Sequence, residues 1–593
     1  MKGRPHAIAL LVLLALSCRS LPSGPTSSPR RVLLLSLDGA SASELHRLHR
    51  EGQLRAGGFA RFFREGQVAE RLVPVNPTLT ATNHISLATG YVAGETGIVS
   101  NTLHRPGTPL PDTVSGFAAS IETETLWEAA RRQGKRVGVT TWPGADDTGE
   151  RRRADWGMVY VNDPDRRAEL VSLSWEDWRS RGPGLAARVD VGGSQGKQTF
   201  ELLALDRDST AGYDMIVVAQ QPAGNPSDPV GVGSWGSAPC QLARPEGEPW
   251  RATCTFKLLA LAPDLSSARI YFDGLYSLQA YPPAFAEELA TKGLVWPGAP
   301  DDRRLSDAWQ GRPGIDLATW EEQSERFARF FGDSLLAAAG RPDWDLLLGY
   351  VPVIDEAGHQ LLLTDPRQPN FSPPRREELA AARLRVWQAV DRELARLLAA
   401  LDLSTTTVAV VSDHGMLPMH TALDPNVLLR ERGLLRTDSE SRVLAEGTVA
   451  NAVRSGAVAH VHVAPGREDL LPDLRRLFTE WEANGERVLE RVVPRSEAAA
   501  VGLDHPNSGA LILFPRPGYT FASGLREGRP AWPTPVYGMH GHLNHHEELH
   551  GIYMAVGAGI RKGNAGTVRS VDVAGRVAGW LGIEKPRREP VRR

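Results

Sequence analysis

Cysteine is scarce: the chain has three in 593 residues, and one of these, Cys18, lies in the N-terminal segment. A scaffold held mainly by disulfides is therefore excluded, and only Cys240 and Cys254 are left to pair within the body of the chain. A basic excess is missing too, with 67 Lys and Arg against 70 Asp and Glu and a formal net charge of −3. That balance excludes a protein that coats nucleic acid. Beyond residue 16 no apolar run is long enough to span a bilayer, and no internal repeat is found. What remains is an ordinary globular composition, 41% hydrophobic and 23% charged. Its length suits one large α/β domain with insertions, or several domains.

The first residues read as a signal peptide. Lys2 and Arg4 form a basic start, and Ala7 to Leu16 is an apolar run too short for a comfortable membrane span. Ala15-Leu16-Ser17-Cys18 is similar to a bacterial lipoprotein box, which predicts a signal peptide over 1–18 and a lipid on Cys18. The bland alternative is simple secretion, with cleavage near Ser17 or Ser23. Under either reading the Ser- and Pro-rich stretch 19–30 is a flexible tether, and the protein is exported. In an oxidising compartment Cys240 and Cys254 are expected to form a disulfide worth about 3 kcal/mol in the chain-entropy model. The alternative is a pair of buried free thiols.

From Arg31 onward, strand-like runs alternate with helical ones. Val32 to Leu37 is a buried strand followed by a helix over 42–51. An amphipathic helix over 124–133 feeds a strand over 136–141. A helix over 320–339 feeds a strand over 345–350, and a longer one over 377–401 feeds 406–412. This alternation predicts an α/β fold whose mainly parallel sheet is sandwiched by helices. The predicted catalytic core occupies 31–191, 301–422 and 534–593. A β-rich insertion is expected over 192–300, and a small α+β cap over 423–533 with a helix over 470–484.

Three of the apolar runs end in chemistry. Asp38 follows the first, Asp355 and His359 follow the second (Leu346 to Tyr350), and Asp413 and His414 follow the third (Val408 to Ser412). His540 sits in Gly538-Met539-His540-Gly541, and Thr80 in Pro77-Thr78-Leu79-Thr80-Ala81-Thr82-Asn83-His84. In an open α/β sheet, residues at the carboxyl ends of strands converge on one crevice. Three acids and three histidines with a hydroxyl between them suit a two-metal site with an activated nucleophile, and imidazole donors favour zinc. Taken singly, each is better read as a surface charge or a satisfied polar group. Thr82 is expected to cap a helix over 82–89, with Thr80 just before it near the positive helix end. Arg151-Arg152-Arg153 is by default a solvated charge run, the alternative being a clamp for an anionic substrate end.

The order of these runs resembles the alkaline phosphatase superfamily, and most closely its nucleotide pyrophosphatase/phosphodiesterase branch. Matching motifs are Asp38-Gly39, Pro77 to His84, Gly97-Ile98-Val99-Ser100-Asn101, Trp142-Pro143-Gly144-Ala145-Asp146, Asp355-x-x-Gly358-His359, Ser412-Asp413-His414-Gly415 and His540-Gly541. The resemblance implies an alkaline-phosphatase-like fold, two Zn2+ per chain and a phospho-threonine intermediate. One ion is assigned to Asp38, Thr80, Asp413 and His414, the other to Asp355, His359 and His540. Thr80 is implied as nucleophile, Asn101 as donor to a phosphoryl oxygen, and Trp142 as part of the substrate rim. His542 is the alternative should His540 not be the ligand.

The implied substrate is a small phosphodiester or nucleotide, and membrane contact comes only through the lipid. Ala81-Thr82 departs from the family's Phe-Pro, so the ring that helps stack a nucleobase is absent there. A phosphomonoesterase of the same fold is the runner-up, and some such enzymes add a Lys-x-Arg pair where this chain has Trp142-Pro143-Gly144-Ala145-Asp146. A non-catalytic binding protein on the same scaffold would have lost a ligand or the nucleophile, and neither is missing.

Overall fold

The computed structural model describes residues 31–181, 184–192, 198–207, 212–221, 225–242, 250–534 and 536–588. The signal segment, the tether and Cys18 lie outside them. Nine strands form the central sheet: β1 (Arg31–Leu37), β2 (Gln67–Val68), β3 (Val137–Thr140), β4 (Trp156–Met158), β5 (Ala280–Tyr281), β6 (Leu346–Val351), β7 (Thr406–Val411), β8 (Tyr553–Gly557) and β9 (Gly563–Asn564). Their spatial order is β5-β4-β3-β6-β1-β7-β8-β2-β9. The five strands from β4 to β7 run parallel, while β5 and β8 are antiparallel to their neighbours.

Strand β1 is buried on both faces because alternate residues feed two cores. Leu33, Leu35 and Leu37 pack with helices α1 (Ala42–Arg50), α2 (Gly58–Glu65), α5 (Leu317–Ala339) and α7 (Pro373–Ala400). Val32 and Leu34 pack with α3 (Thr80–Thr89), α4 (Leu126–Arg132) and α8 (Ser570–Leu581) on the other side. A continuous apolar run is what a doubly covered strand requires. Register then fixes the site. Leu37 lies opposite Val351, and Ser36 opposite Val411, so the chain leaves β1, β6 and β7 at one level of one sheet edge.

The β-rich insertion is a sandwich of two antiparallel sheets, and it begins earlier and ends earlier than the expected 192–300. One sheet contains Trp178–Arg181, Gly184–Val191, Gln198–Leu205, Met215–Gln220 and Val230–Gly231. The other contains Glu169–Ser174, Trp235–Leu242, Trp250–Leu261 and Ser267–Phe272. Gly192 therefore follows a strand inside the sandwich, whereas Pro283–Thr291 and Asp302–Trp309 are helices. Cys240 and Cys254 are disulfide-bonded between adjacent strands, with Cα atoms 5.8 Å apart.

The cap carries a four-stranded antiparallel sheet of Ala450–Ser455, Val458–Val463, Leu489–Pro494 and Leu511–Pro515. Its helix stops at Thr479 rather than at 484. Asn484 and Gly485 both take positive φ, 54° and 81°, and turn a short hairpin between Glu482–Ala483 and Glu486–Arg487. Asn-Gly is the turn pair that such a hairpin demands.

Candidate metal centre and nucleophile

Asp38 leaves the end of β1 and turns at Gly39, whose φ is +67°. A Cβ at that glycine would lie 2.7 Å from Asp355 Cα, so the close approach of the two acids requires glycine there. Asp355 and His359 lie on a helix, α6 (Val353–Leu361), that starts just past β6. The i, i+4 spacing puts both side chains on one face. Asp413 and His414 follow β7, and His540 follows the short strand Gly538–Met539.

These six side chains come together. His414 Nε2 is 3.0 Å from Asp413 Oδ2 and 3.4 Å from Asp38 Oδ1. His359 Nε2 is 3.1 Å from Asp355 Oδ2, and His540 Nε2 is 3.8 Å from Asp355 Oδ1. The rings of His414 and His540 stack with centroids 3.6 Å apart. In each of the three histidines Nδ1 faces a backbone carbonyl: Gly538 O at 2.8 Å for His359, Gly415 O at 3.0 Å for His414, and Thr78 O at 2.9 Å for His540. With Nδ1–H donated there, Nε2 is in each ring the nitrogen turned to the carboxylates and the one left to bind a metal.

The carboxylates show what is required of the site. Asp38 Oδ1, Asp355 Oδ1 and Asp413 Oδ2 are buried without a hydrogen-bond partner. Burial, then the charges of Asp413 and Asp355, push the Asp38 carboxyl well above its usual range. Burial pushes Asp413 up to about 8. Burial opposes ionisation of Asp355 as well, but the imidazole of His359 outweighs it and holds that carboxyl low. Three buried acids with unused oxygens cannot all be ionised without cations among them. Donor atoms of Asp38, Asp413 and His414 lie within 4.8 Å of one another, as do those of Asp355, His414 and His540. These two groups of oxygen and nitrogen donors share His414 and suit a divalent metal.

Thr80 is the first residue of α3, and its Oγ1 lies 3.4 Å from His414 Nε2. The residue before it is Leu79, which supplies no side-chain cap. The expected cap on Thr82 is not found: α3 starts two residues earlier, and Thr82 Oγ1 is buried without a partner. The uncapped helix start adds positive potential beside Thr80. Asn101 Oδ1 accepts a hydrogen bond of 2.9 Å from Ala81 N, which leaves the Asn101 amide NH2 as the group to donate.

His542 is turned away from the centre, with Nε2 3.0 Å from Tyr519 O. Three other residues shape the centre without having been singled out from the sequence. His84 sits 3.4 Å from Asp413 and also bonds Ser36 Oγ at 2.9 Å; burial pulls its pKa down to about 3, so it is neutral. Tyr350 donates its hydroxyl to Asp38 Oδ2 at 2.6 Å. Both were in view, His84 inside the nucleophile run and Tyr350 ending an apolar run, yet nothing in one sequence distinguishes them from core residues. Phe117 is the third. It lines a cavity of about 210 Å³ beside Thr80 and Asp38, together with Trp142, Tyr160, Tyr350 and Glu356.

Arg151 to Arg153 are a solvated run only in part: Arg153 is exposed, Arg151 half-buried and Arg152 buried, and each is paired with an acid. Arg152 is buried and grips Asp146 through two bonds of 2.8 and 3.0 Å, Arg151 bonds Glu128 at 2.9 Å, and Arg153 pairs with Asp147.

A family model described as type I phosphodiesterase/nucleotide pyrophosphatase matches residues 32–206 and 248–547. A bis(5'-adenosyl)-triphosphatase of Xenopus laevis is 31% identical over 150 residues, 25% of this chain and 31% of that protein. Member 1 of the human ectonucleotide pyrophosphatase/phosphodiesterase family is 30% identical over 133 residues, 21% of this chain and 13% of that protein. The aligned segments thus span a third or less of these curated relatives. Among solved structures, human ectonucleotide pyrophosphatase/phosphodiesterase 5 aligns with 94% of this chain and 96% of its own, at 14% identity and a TM-score of 0.48. Phosphonoacetate hydrolase of Sinorhizobium meliloti aligns with 93% and 96%, at 16% identity and 0.47. With well over half of its length matched by the family model, the chain belongs to the type I phosphodiesterase/nucleotide pyrophosphatase family.

Proposed function

We propose that this protein hydrolyses phosphodiester or phosphoanhydride bonds of small molecules through a covalent phosphoryl intermediate on Thr80, at a centre that holds two zinc ions. The observation that carries this reading is the position of Thr80: a hydroxyl at an uncapped helix start, 3.4 Å from His414, lining one cavity with Asp38 and Asp355, two buried carboxylates with unused oxygens. Asp38, Asp413, His414 and Thr80 hold one ion in this reading, and Asp355, His359 and His540 the other. Three imidazole donors favour zinc over magnesium or calcium. When bound, such ions lower the pKa of a coordinated hydroxyl and offset charge on phosphoryl oxygens.

The protein's own groups do the rest. Thr80 Oγ gives up its proton to solvent and forms a bond to phosphorus as the bond to the leaving oxygen breaks in line, and that oxygen takes up a proton from solvent. Water then attacks the same phosphorus and loses a proton, and Thr80 Oγ leaves and is reprotonated. The Asn101 amide and the free N–H groups of α3 donate to the non-bridging oxygens, and they do so most strongly as charge grows in the transition state. Trp142 and Phe117 wall the space for the organic part of the substrate.

The same proposal places the protein outside the cytoplasm, as a lipoprotein anchored through Cys18. The signal-like start and the disulfide support export. Replacing Cys18 by Ala is expected to abolish uptake of labelled fatty acid and partition with membranes; a wild-type protein that is itself unlabelled and soluble leaves simple secretion.

The catalytic reading is tested by Thr80→Ala. Turnover of bis-p-nitrophenyl phosphate should fall by several orders of magnitude, while bound zinc stays near the wild-type content because the acids and imidazoles remain. Turnover close to that of the wild type would overturn the assignment.

A further inference from the structure

Outside this centre, Glu490, His545 and His546 form a separate group of donors. Glu490 is on the cap strand Leu489–Pro494, while His545 and His546 follow His540 in the last segment of the core. His545 Nε2 is 2.9 Å from Glu490 Oε1, and His546 Nε2 is 2.8 Å from Oε2. The two rings lie with centroids 4.2 Å apart at 39°. All three donor atoms fall within 4.8 Å of one another. Tetrahedral zinc with bonds of about 2.0–2.1 Å sets its donors about 3.3 Å apart, so the two imidazole-to-carboxylate distances need to open by only about half an ångström.

A carboxylate that merely accepts two hydrogen bonds would show similar distances, and three features argue for more. Both imidazoles present the same atom, Nε2, and each faces a different oxygen of one carboxylate. His542, fully buried, stands beside them with its ring 6.3 Å from that of His546. Its Nε2 is used by Tyr519 O and its Nδ1 is buried, so a third imidazole ring packs next to the pair. The side chain of His545 is 59% exposed, which leaves ion and water access to a fourth position. Two histidines and one carboxylate are a zinc-type donor set.

We propose that Glu490, His545 and His546 bind a divalent transition-metal ion, zinc foremost, at a site separate from the catalytic centre that fastens the cap to the segment carrying His540. That segment is held at the centre by Thr78, whose carbonyl faces His540 Nδ1 and whose hydroxyl accepts from Gly541 N at 2.9 Å. The cap meets it where Ala457 N donates to His540 O at 2.9 Å. An ion on Glu490 would cross-link the two segments a second time, a few residues further on.

The test is the zinc content of the full chain by equilibrium dialysis, for the wild type, Glu490→Gln and His545→Asn/His546→Asn. Each variant should bind one ion fewer than the wild type. The same difference should persist when all are rebuilt on an Asp355→Ala background, where the catalytic centre is impaired, so the result does not depend on how that centre is filled. Added zinc should raise the Tm of the Asp355→Ala protein by more than it raises that of the combined variants, because each folded-state site adds its own stabilisation by mass action. Equal zinc content in the wild type and both variants overturns the proposal and leaves a hydrogen-bonded surface cluster.

Discussion

Phe117 stands in the cavity beside Thr80, whereas the neighbouring position 81, where family members carry an aromatic ring, is a buried alanine. If the cavity takes the organic part of a substrate, Phe117 is the ring free to lie against it. Stacking of a base on an aromatic side chain is worth about 1–3 kcal/mol by alanine substitution. Phe117→Ala is therefore expected to raise KM for a nucleoside or aryl diester about tenfold, with kcat changed little. An unchanged KM would show that the ring is not part of the pocket. Asp355→Ala should also remove about one zinc per chain relative to the wild type, because His359 and His540 both converge on that carboxylate; zinc content equal to that of the wild type would mean that the ligands are wrongly assigned.

Residues of this kind were legible in the sequence only where a strand announced them. Asp38, Asp355 and Asp413 follow apolar runs that could be little else than buried strands. Thr82 is not the cap that its place suggests: Ser and Thr at a helix start are normally caps, and here the helix begins uncapped at Thr80. The pairing of Arg152 with Asp146 depends on a loop conformation that no spacing reveals.

At the scale of elements, Asp391 shows how one helix is docked on another. It lies on α7, wholly buried, and its carboxylate accepts from the backbone of Ala56 at 2.8 Å, Gly57 at 3.3 Å and Phe59 at 2.8 Å. These N–H groups belong to the start of α2, which would otherwise have orphan donors in an apolar setting. Gly58 permits the approach, because a Cβ there would lie 2.4 Å from Asp391 O. Asp391→Ala is expected to cost about 3 kcal/mol in urea unfolding, since it strands several buried donors at once. Asp391→Asn, which keeps one acceptor oxygen, should cost less. A loss below about 1 kcal/mol for the alanine variant would show that water replaces the carboxylate.

The helices and strands of the core were read from periodicity to within a few residues. The sandwich borders and the hairpin at Asn484-Gly485 were not, because a glycine pair can end a domain or turn a hairpin, and only the partner strands decide which.

For the molecule as a whole, the balance of charge at the catalytic end favours diesters over monoesters. A monoester brings two negative charges on its transferable group and a diester one, so a monoesterase of this fold must recruit cations beyond its metals. None is on hand from the nearest basic run. Arg152 is bound to Asp146 and to Ala119 O, Arg151 to Glu128 and Thr123 O, and Arg153 to Asp147. Asp146 borders the cavity, but Arg152 offsets its charge, so the pair contributes neither attraction nor strong repulsion. We therefore expect kcat/KM for bis-p-nitrophenyl phosphate to exceed that for p-nitrophenyl phosphate by at least about tenfold, roughly 1.4 kcal/mol of differential transition-state binding. Asp146→Asn should narrow the ratio, because it releases a buried guanidinium at the rim of the cavity. A wild-type protein that prefers the monoester would sink the diesterase reading. If Arg152→Ala then abolished that preference, the arginine rather than the metals would be the source of the missing charge.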